Sequence, residues 1–218
     1  MPTSVSARDY AARAYTIGIS GSRDSGKWML ALALCRLLRD SYSIVVVTNR
    51  AVSDEDGSRE FLIRHKALAS TRVAAVDSGR HTAPAIEVLM AECHPELIFL
   101  EDAGGDRERI GTLADFTIHV VNGSADRISA ADMSEVQRSD LLVINKTHVG
   151  APLDLHDPAV QQCLRLRGDA PTVFAQLRYG IGTIEIASHF LASWRRTSAP
   201  EVWALAVDGH VTLTPALA

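Results

Sequence analysis

The stretch Tyr15-Thr16-Ile17-Gly18-Ile19-Ser20-Gly21-Ser22-Arg23-Asp24-Ser25-Gly26-Lys27-Trp28-Met29-Leu30 passes from an apolar run through a glycine-bounded turn into a helical pattern. Residues 15–20 read as a short buried strand. Residues 29–38 place Leu30, Leu34, Leu37 and Leu38 at helical spacing. Between them, Gly21 to Lys27 has the spacing G-x-x-x-x-G-K. Such a loop lets backbone N–H groups and a helix N-terminus face an anion, with the lysine reaching phosphate oxygens. A glycine-rich turn of no chemical consequence is the alternative, but the strand–loop–helix setting favours a phosphate-binding loop. One position departs from the pattern. The residue after the lysine is ordinarily Ser or Thr, whose hydroxyl ligates Mg²⁺. Trp28 has only an indole N–H donor and cannot ligate a cation. Gly21, Ser22, Arg23, Asp24, Ser25, Gly26, Lys27 and Trp28 are therefore read as an anion-binding segment that lacks one metal ligand.

The rest of the chain continues the alternation of strand and helix. Strands are expected at residues 43–48, 73–77, 97–100, 116–121, 141–145 and 172–174, with helices near residues 83–92 and at a closing segment. That closing helix carries Ile184, Ala187, Phe190, Leu191 and Trp194 on one side. Apolar strands separated by helices imply an α/β fold whose parallel sheet is covered on both faces. Ligands then bind at the C-terminal ends of the strands. The expected organisation is a polar arm over residues 1–14, a P-loop domain over residues 15–198 and a C-terminal extension over residues 199–218. In that extension, Val202-Trp203-Ala204-Leu205-Ala206-Val207, then Asp208-Gly209, then His210-Val211-Thr212-Leu213-Thr214 reads as a β-hairpin.

Composition narrows the class. The chain has 218 residues, of which 47% are hydrophobic, enough for one sizeable core. A formal charge of −4 gives no support for nucleic-acid or anionic-membrane binding. No apolar run approaches the roughly 18 residues of a membrane span. The three cysteines, Cys35, Cys93 and Cys163, are scattered and odd in number, which fits a reducing cytoplasm rather than a disulfide framework.

Two further motifs lie at strand ends. Glu101-Asp102-Ala103-Gly104-Gly105 follows a buried-type strand. Carboxylates there can hold Mg²⁺ through water, and a following glycine can sense a γ-phosphate. Glu101 and Asp102, with Lys27, are thus the catalytic candidates; a plain acidic turn is the alternative. Leu142-Val143-Ile144-Asn145-Lys146-Thr147-His148 has the form of a guanine-reading Asn-Lys-x-Asp, with His148 where the aspartate belongs. A neutral histidine has one acceptor nitrogen and a protonated one has none. A site built to pair polar edges discriminates by up to roughly 10⁴-fold, much of which is forfeited with its acceptor.

Taken together, these blocks resemble the urease accessory G protein (UreG) family, GTP-dependent metallochaperones that deliver nickel to urease and are related to hydrogenase-maturation GTPases. The resemblance spans residues 15–194. It is carried by the P-loop and its helix, by Val46-Val47-Thr48-Asn49, by Leu97-Ile98-Phe99-Leu100-Glu101 and by Arg138-Ser139-Asp140-Leu141-Leu142-Val143-Ile144-Asn145-Lys146. It implies a P-loop G domain in which Asn145, Lys146, His148, Gln176 and Leu177 surround the base. The cofactors it implies are GTP or GDP. Bare phosphate or sulfate would also suit the loop. The partners it implies are a second copy, a UreG-like homologue or urease accessory proteins.

The departures are systematic. Lys-Thr becomes Lys27-Trp28, Thr-Asn-Asp becomes Thr48-Asn49-Arg50, and the nickel-binding Cys-Pro-His is replaced by Ser78-Gly79-Arg80-His81-Thr82-Ala83-Pro84. The family's basic switch segment gives way to residues 124–134. His81 alone from each of two protomers gives two protein ligands, short of the four a tetrahedral or square-planar site takes. His81 is thus at most a weak metal candidate, and neither bound nickel nor Mg²⁺ is expected. Cys93 is read as packing and His94 as a helix C-terminal residue. The expectation is a degenerate relative that keeps the fold and phosphate binding, hydrolyses GTP poorly and serves as a binding or regulatory partner. A divergent but active GTPase nickel chaperone is the alternative.

Overall fold

The structure, a computed structural model, describes residues 13–22, 24–49, 72–75, 82–102, 111–123, 130–145 and 157–198. Its elements are β1 (Tyr15–Gly21), α1 (Lys27–Leu38), β2 (Ile44–Asn49), β3 (Arg72–Ala75), α2 (Thr82–Cys93), β4 (Leu97–Asp102), β5 (Phe116–Asn122), α3 (Ala130–Arg138), β6 (Leu141–Asn145), α4 (Pro158–Arg167), β7 (Thr172–Ala175), a 3₁₀ turn (Leu177–Tyr179) and α5 (Thr183–Ser198). The strands form one sheet in the order β3-β2-β4-β1-β5-β6-β7. Every pairing is parallel. The chain leaves β1 toward β2, returns through β4 beside β1, and then crosses to β5 on the other flank. That reversal opens a crevice at the C-terminal ends of β4, β1 and β5. The P-loop leaves β1 there.

Side chains alternate across the sheet. On one face Tyr15, Ile17, Ile19, Phe99, Ile118 and Val120 pack with Leu30, Leu34, Ile186 and Phe190 from α1 and α5. On the other, Val45, Val47, Ile98 and Leu100 meet α2. Val121, Leu142 and Ile144 meet α3 and α4. Helices thus cover both faces, which is why the strands read as unbroken apolar runs. Phe190 lies edge-on to Phe99 at 6.0 Å, and Trp194 stacks on Tyr15 at 5.8 Å. The closing helix is thereby anchored along its length.

Two helix faces differ from the sequence expectation. Leu37 is 40% exposed because it lies at the rim of the α1 arc centred on Lys27, Leu34 and Leu38. Ile184 is 71% exposed. Thr183, Ile186, Ala187 and Phe190 form the buried stripe of α5, and Ile184 is turned about 100° from its centre. Two helices were not anticipated, α3 and α4. Helix α4 has a clear start and stop: Asp157 accepts a hydrogen bond from Ala159 N, Pro158 opens the first turn, and Gly168 ends the helix at φ 58°. Buried Arg167 then donates to the carbonyls of Val136, Ser139, Asp140 and Pro171, closing the turns around β6 and β7. Burial lowers the Arg167 pKa, and Asp140 opposes that shift. No helix among the described residues is long and apolar enough to cross a membrane. The hairpin expected in residues 199–218 and residues 1–12 of the expected 1–14 arm lie outside the described residues; of the remaining two, Arg13 pairs with Asp115 and Ala14 is buried.

Candidate functional site: a glycine-bounded loop tied to the end of β6

The loop after β1 turns through backbone conformations that favour glycine. Gly21 has φ 149° and Gly26 φ 98°, and Asp24 sits at φ 62°. A methyl group on Gly21 would run into the Val120 carbonyl, and one on Gly26 would run into the Asn145 amide. Both glycines are required by close approach as well as by dihedral. Gly26 is the N-cap of α1 without a side-chain cap, and the helix's first turn carries no acidic residue. The helix therefore presents a positive end with no carboxylate of its own beside it.

Lys27 is buried, and its Nζ donates to the Gly21 carbonyl and the Ser22 carbonyl, each at 2.8 Å. The ammonium spans the mouth of the loop and closes it on itself. An incoming phosphate oxygen would exchange these neutral acceptors for a charged one, which makes the stronger hydrogen bond. Ser25 is fully buried, and its hydroxyl has no hydrogen-bond partner among the described residues. Trp28 is half-buried and packs against the main core beneath α1. Its ring is thus drawn into the packing of α1. It supplies no oxygen where a Mg²⁺ ligand would stand.

Asn145 connects the loop to the opposite wall. Its Nδ2 donates to the Ser25 carbonyl at 2.9 Å, and its Oδ1 accepts from Leu177 N at 3.1 Å. Asn145 is 2% exposed. Both ends of its amide are used in holding the phosphate loop beside the turn that follows β7. That turn is itself closed by the Gln176 and Ile181 backbones, paired at 3.2 and 3.3 Å. On the other flank, Glu101 is buried at the end of β4, in register with Ile19 of β1 and Thr48 of β2. Asp102 is the last residue of β4. The structure thus gathers Gly21, Ser22, Asp24, Ser25, Gly26, Lys27, Trp28, Glu101, Asn145, Gln176 and Leu177 at one end of the sheet. Arg23, His81, Lys146 and His148 lie outside the described residues. The loop's lysine, glycines and open helix end suit an anion; no described side chain at position 28 suits Mg²⁺. Among the described residues no three His, Cys, Asp or Glu side chains gather into a metal-sized group.

Cys35 and Cys163 are buried in the packing rather than at this site. Burial pushes the Cys35 thiol up to about 12. Burial and then the Asp132 carboxylate push Cys163 up to about 11. Cys93 packs at the end of α2, and His94 follows it at φ 45°, its N–H donating to the Met90 carbonyl as the helix closes. A buried group that the sequence reading passed over is Ser20 with His119 and Asp132. A histidine within the apolar strand Phe116–Asn122 was the available signal.

The sheet order, the strand–loop–helix at its centre and the two-sided helical cover define a P-loop NTPase α/β fold. No protein-family model matches the chain. Among solved structures, the fold is similar to hydrogenase maturation factor HypB from Archaeoglobus fulgidus, at TM-score 0.62 and 17% identity over 84% of this chain and 91% of that one. HypB from Helicobacter pylori in complex with nickel is similar at TM-score 0.64 and 15% identity, covering 85% and 89%. A LAO/AO transport system kinase gives TM-score 0.58 and 18% identity, covering 85% of this chain and 60% of that one.

Proposed function

We infer that this chain is a UreG-like P-loop protein that holds guanine-nucleotide phosphates, or bare phosphate, without efficient turnover, and that it works by binding or regulating a partner. A single observation carries the reading. In two consecutive residues the loop keeps its phosphate lysine, with Nζ on the Gly21 and Ser22 carbonyls, and puts a half-buried tryptophan where the Mg²⁺ hydroxyl belongs. Phosphate binding needs the first residue. Charge neutralisation during phosphoryl transfer needs the second. The sequence resemblance to the urease accessory G proteins supports a relationship to metalloenzyme maturation, as does the likeness in fold to the two HypB structures. A second copy, a UreG-like homologue or a urease accessory protein is the partner class this reading favours.

A second reading is an active GTPase that delivers nickel during urease assembly. The likeness to the nickel-bound HypB structure favours it; Trp28 and the replacement of Cys-Pro-His by residues 78–84 count against it. Phosphate release from GTP and ATP by the purified chain separates the two. The first reading expects release at the no-enzyme background with Mg²⁺ present. Steady Mg²⁺-dependent turnover that Lys27→Ala abolishes would establish the second.

A further inference from the structure

A polar chain lies on the face of β1 away from α1, and the nucleotide reading does not use it. Ser20 of β1 and His119 of β5 are register partners, so their side chains leave the sheet side by side. Ser20 Oγ is 2.9 Å from His119 Nδ1 and 3.5 Å from the Ile118 carbonyl. His119 Nε2 is 3.5 Å from Oδ1 of Asp132, the third residue of α3. His119 is fully buried, and Ser20 and Asp132 are 6% and 4% exposed. Across this face β6 brings the apolar Leu142, and α4 brings Cys163, whose protonated thiol carries no charge. The order hydroxyl–imidazole–carboxylate is that of a nucleophilic triad, but a buried hydroxyl is out of reach of any substrate.

In the tautomer with its proton on Nε2, His119 turns a donor toward the acceptor-only Asp132 carboxylate and accepts the Ser20 hydroxyl at Nδ1. One joint is loose. At 3.5 Å, His119 Nε2 makes no hydrogen bond among the described residues, although it lies within the Coulombic reach of Asp132. A small advance of the first turn of α3 brings the pair to the hydrogen-bonding distance of about 2.9 Å, and a small retreat breaks it. At the other end the link to the loop is covalent. Ser20 precedes Gly21, whose carbonyl accepts from Lys27 Nζ and whose α-carbon leaves no room for a methyl group against Val120.

We propose that Ser20, His119 and Asp132 are positioning residues that couple the first turn of α3 to the phosphate loop, so that a displacement at either end is transmitted to the other. Buried polar contacts with two discrete arrangements carry coupling in this way, and a low-dielectric setting makes each arrangement costly to leave half made. The coupling stands on the geometry above. Only the ligand-bound arm of its test rests on the reading of the loop as an anion site.

The test is amide hydrogen exchange on the full chain, with ¹⁵N NMR of the imidazoles. Asp132→Asn is expected to speed exchange at residues 21 and 25–27 by roughly 3- to 30-fold. Ser134→Ala, on the exposed side of the same helix, is expected to leave those amides unchanged. Equal loop exchange in the two variants would overturn the proposal. So would wild-type nitrogen shifts showing the proton on Nδ1. Should Asp132→Asn fail to fold, Ser20→Ala asks the same question from the other end. It is expected to speed exchange in residues 130–134, and unchanged exchange there overturns the coupling. Added inorganic pyrophosphate should slow exchange at the start of α3 in the wild type and not in Ser20→Ala. Absence of any pyrophosphate binding counts against the nucleotide reading alone, and the ligand-free comparison still decides the coupling.

Discussion

Asn145 holds Ser25: its amide donates to the Ser25 carbonyl at 2.9 Å, across 120 residues of chain, while its oxygen receives Leu177 N. The same amide fills the space a side chain at position 26 would need. One buried side chain therefore sets the shape of the phosphate loop and joins it to the turn after β7.

Asn145→Ala is expected to destabilise the protein by about 2–3 kcal/mol, because it strands a buried carbonyl and a buried N–H. Urea unfolding monitored by circular dichroism measures this. A loss below about 0.5 kcal/mol would mean that the loop does not depend on this contact.

Gly26→Ala is expected to cost about 1–3 kcal/mol through its positive φ and its clash with the Asn145 amide. In the Asn145→Ala background the clash is gone, so the second substitution should cost less. A double-mutant cycle with a coupling of about 0.5 kcal/mol or more supports the contact, and strict additivity argues against it.

The buried Cys35 thiol makes stability fall at high pH. Its folded pKa is raised to about 12 from 9.0, so the unfolded chain releases this proton first as the solution becomes alkaline. The contribution is complete below pH 9 and is lost as pH rises toward 12. Between pH 9 and 10.5 the wild type should lose up to about 2 kcal/mol more than Cys35→Ala. Parallel pH profiles for the two proteins would show that the thiol is not held protonated by the fold.

Trp28→Thr restores the missing hydroxyl but is expected to leave GTP turnover at background. On the proposed reading, His148 and Arg50 stand where the family resemblance implies aspartates, so base reading and metal binding stay impaired. The substitution also removes a large ring packed against the core, and a loss of about 1–3 kcal/mol in stability should accompany it. Turnover rising well above background in the single variant would show that residue 28 alone limits the chemistry.

The central strands were the most legible, because each is an apolar run buried on both faces, as in Leu97-Ile98-Phe99-Leu100. The loop was legible because glycine at positions 21 and 26 and lysine at 27 have a physical reason to recur at that spacing. What escaped depends on neighbours distant in the chain. Helix α3 buries Asp132 and Val136 on one side, so its apolar pattern is too thin to announce a helix. Helix α4 had Asp157 before it, Pro158 opening it and Gly168 after it, but its buried residues are Ala159, Val160, Cys163 and Arg167, too mixed in character to read as an apolar stripe. Leu37 and Ile184 fit helical spacing yet lie at the rims of their buried arcs, which only the packed helix defines. The sequence alone does not show what His119 faces; the register of β1 and β5 sets it beside Ser20.

The central claim is that the loop binds phosphate without a metal. Titration calorimetry of GTP and GDP against the purified chain, with Mg²⁺ and with chelator, tests it most directly. The account predicts weak binding whose affinity is the same in both conditions and is lost in Lys27→Ala. A tenfold or greater gain in GTP affinity on adding Mg²⁺, worth about 1.4 kcal/mol, would contradict it.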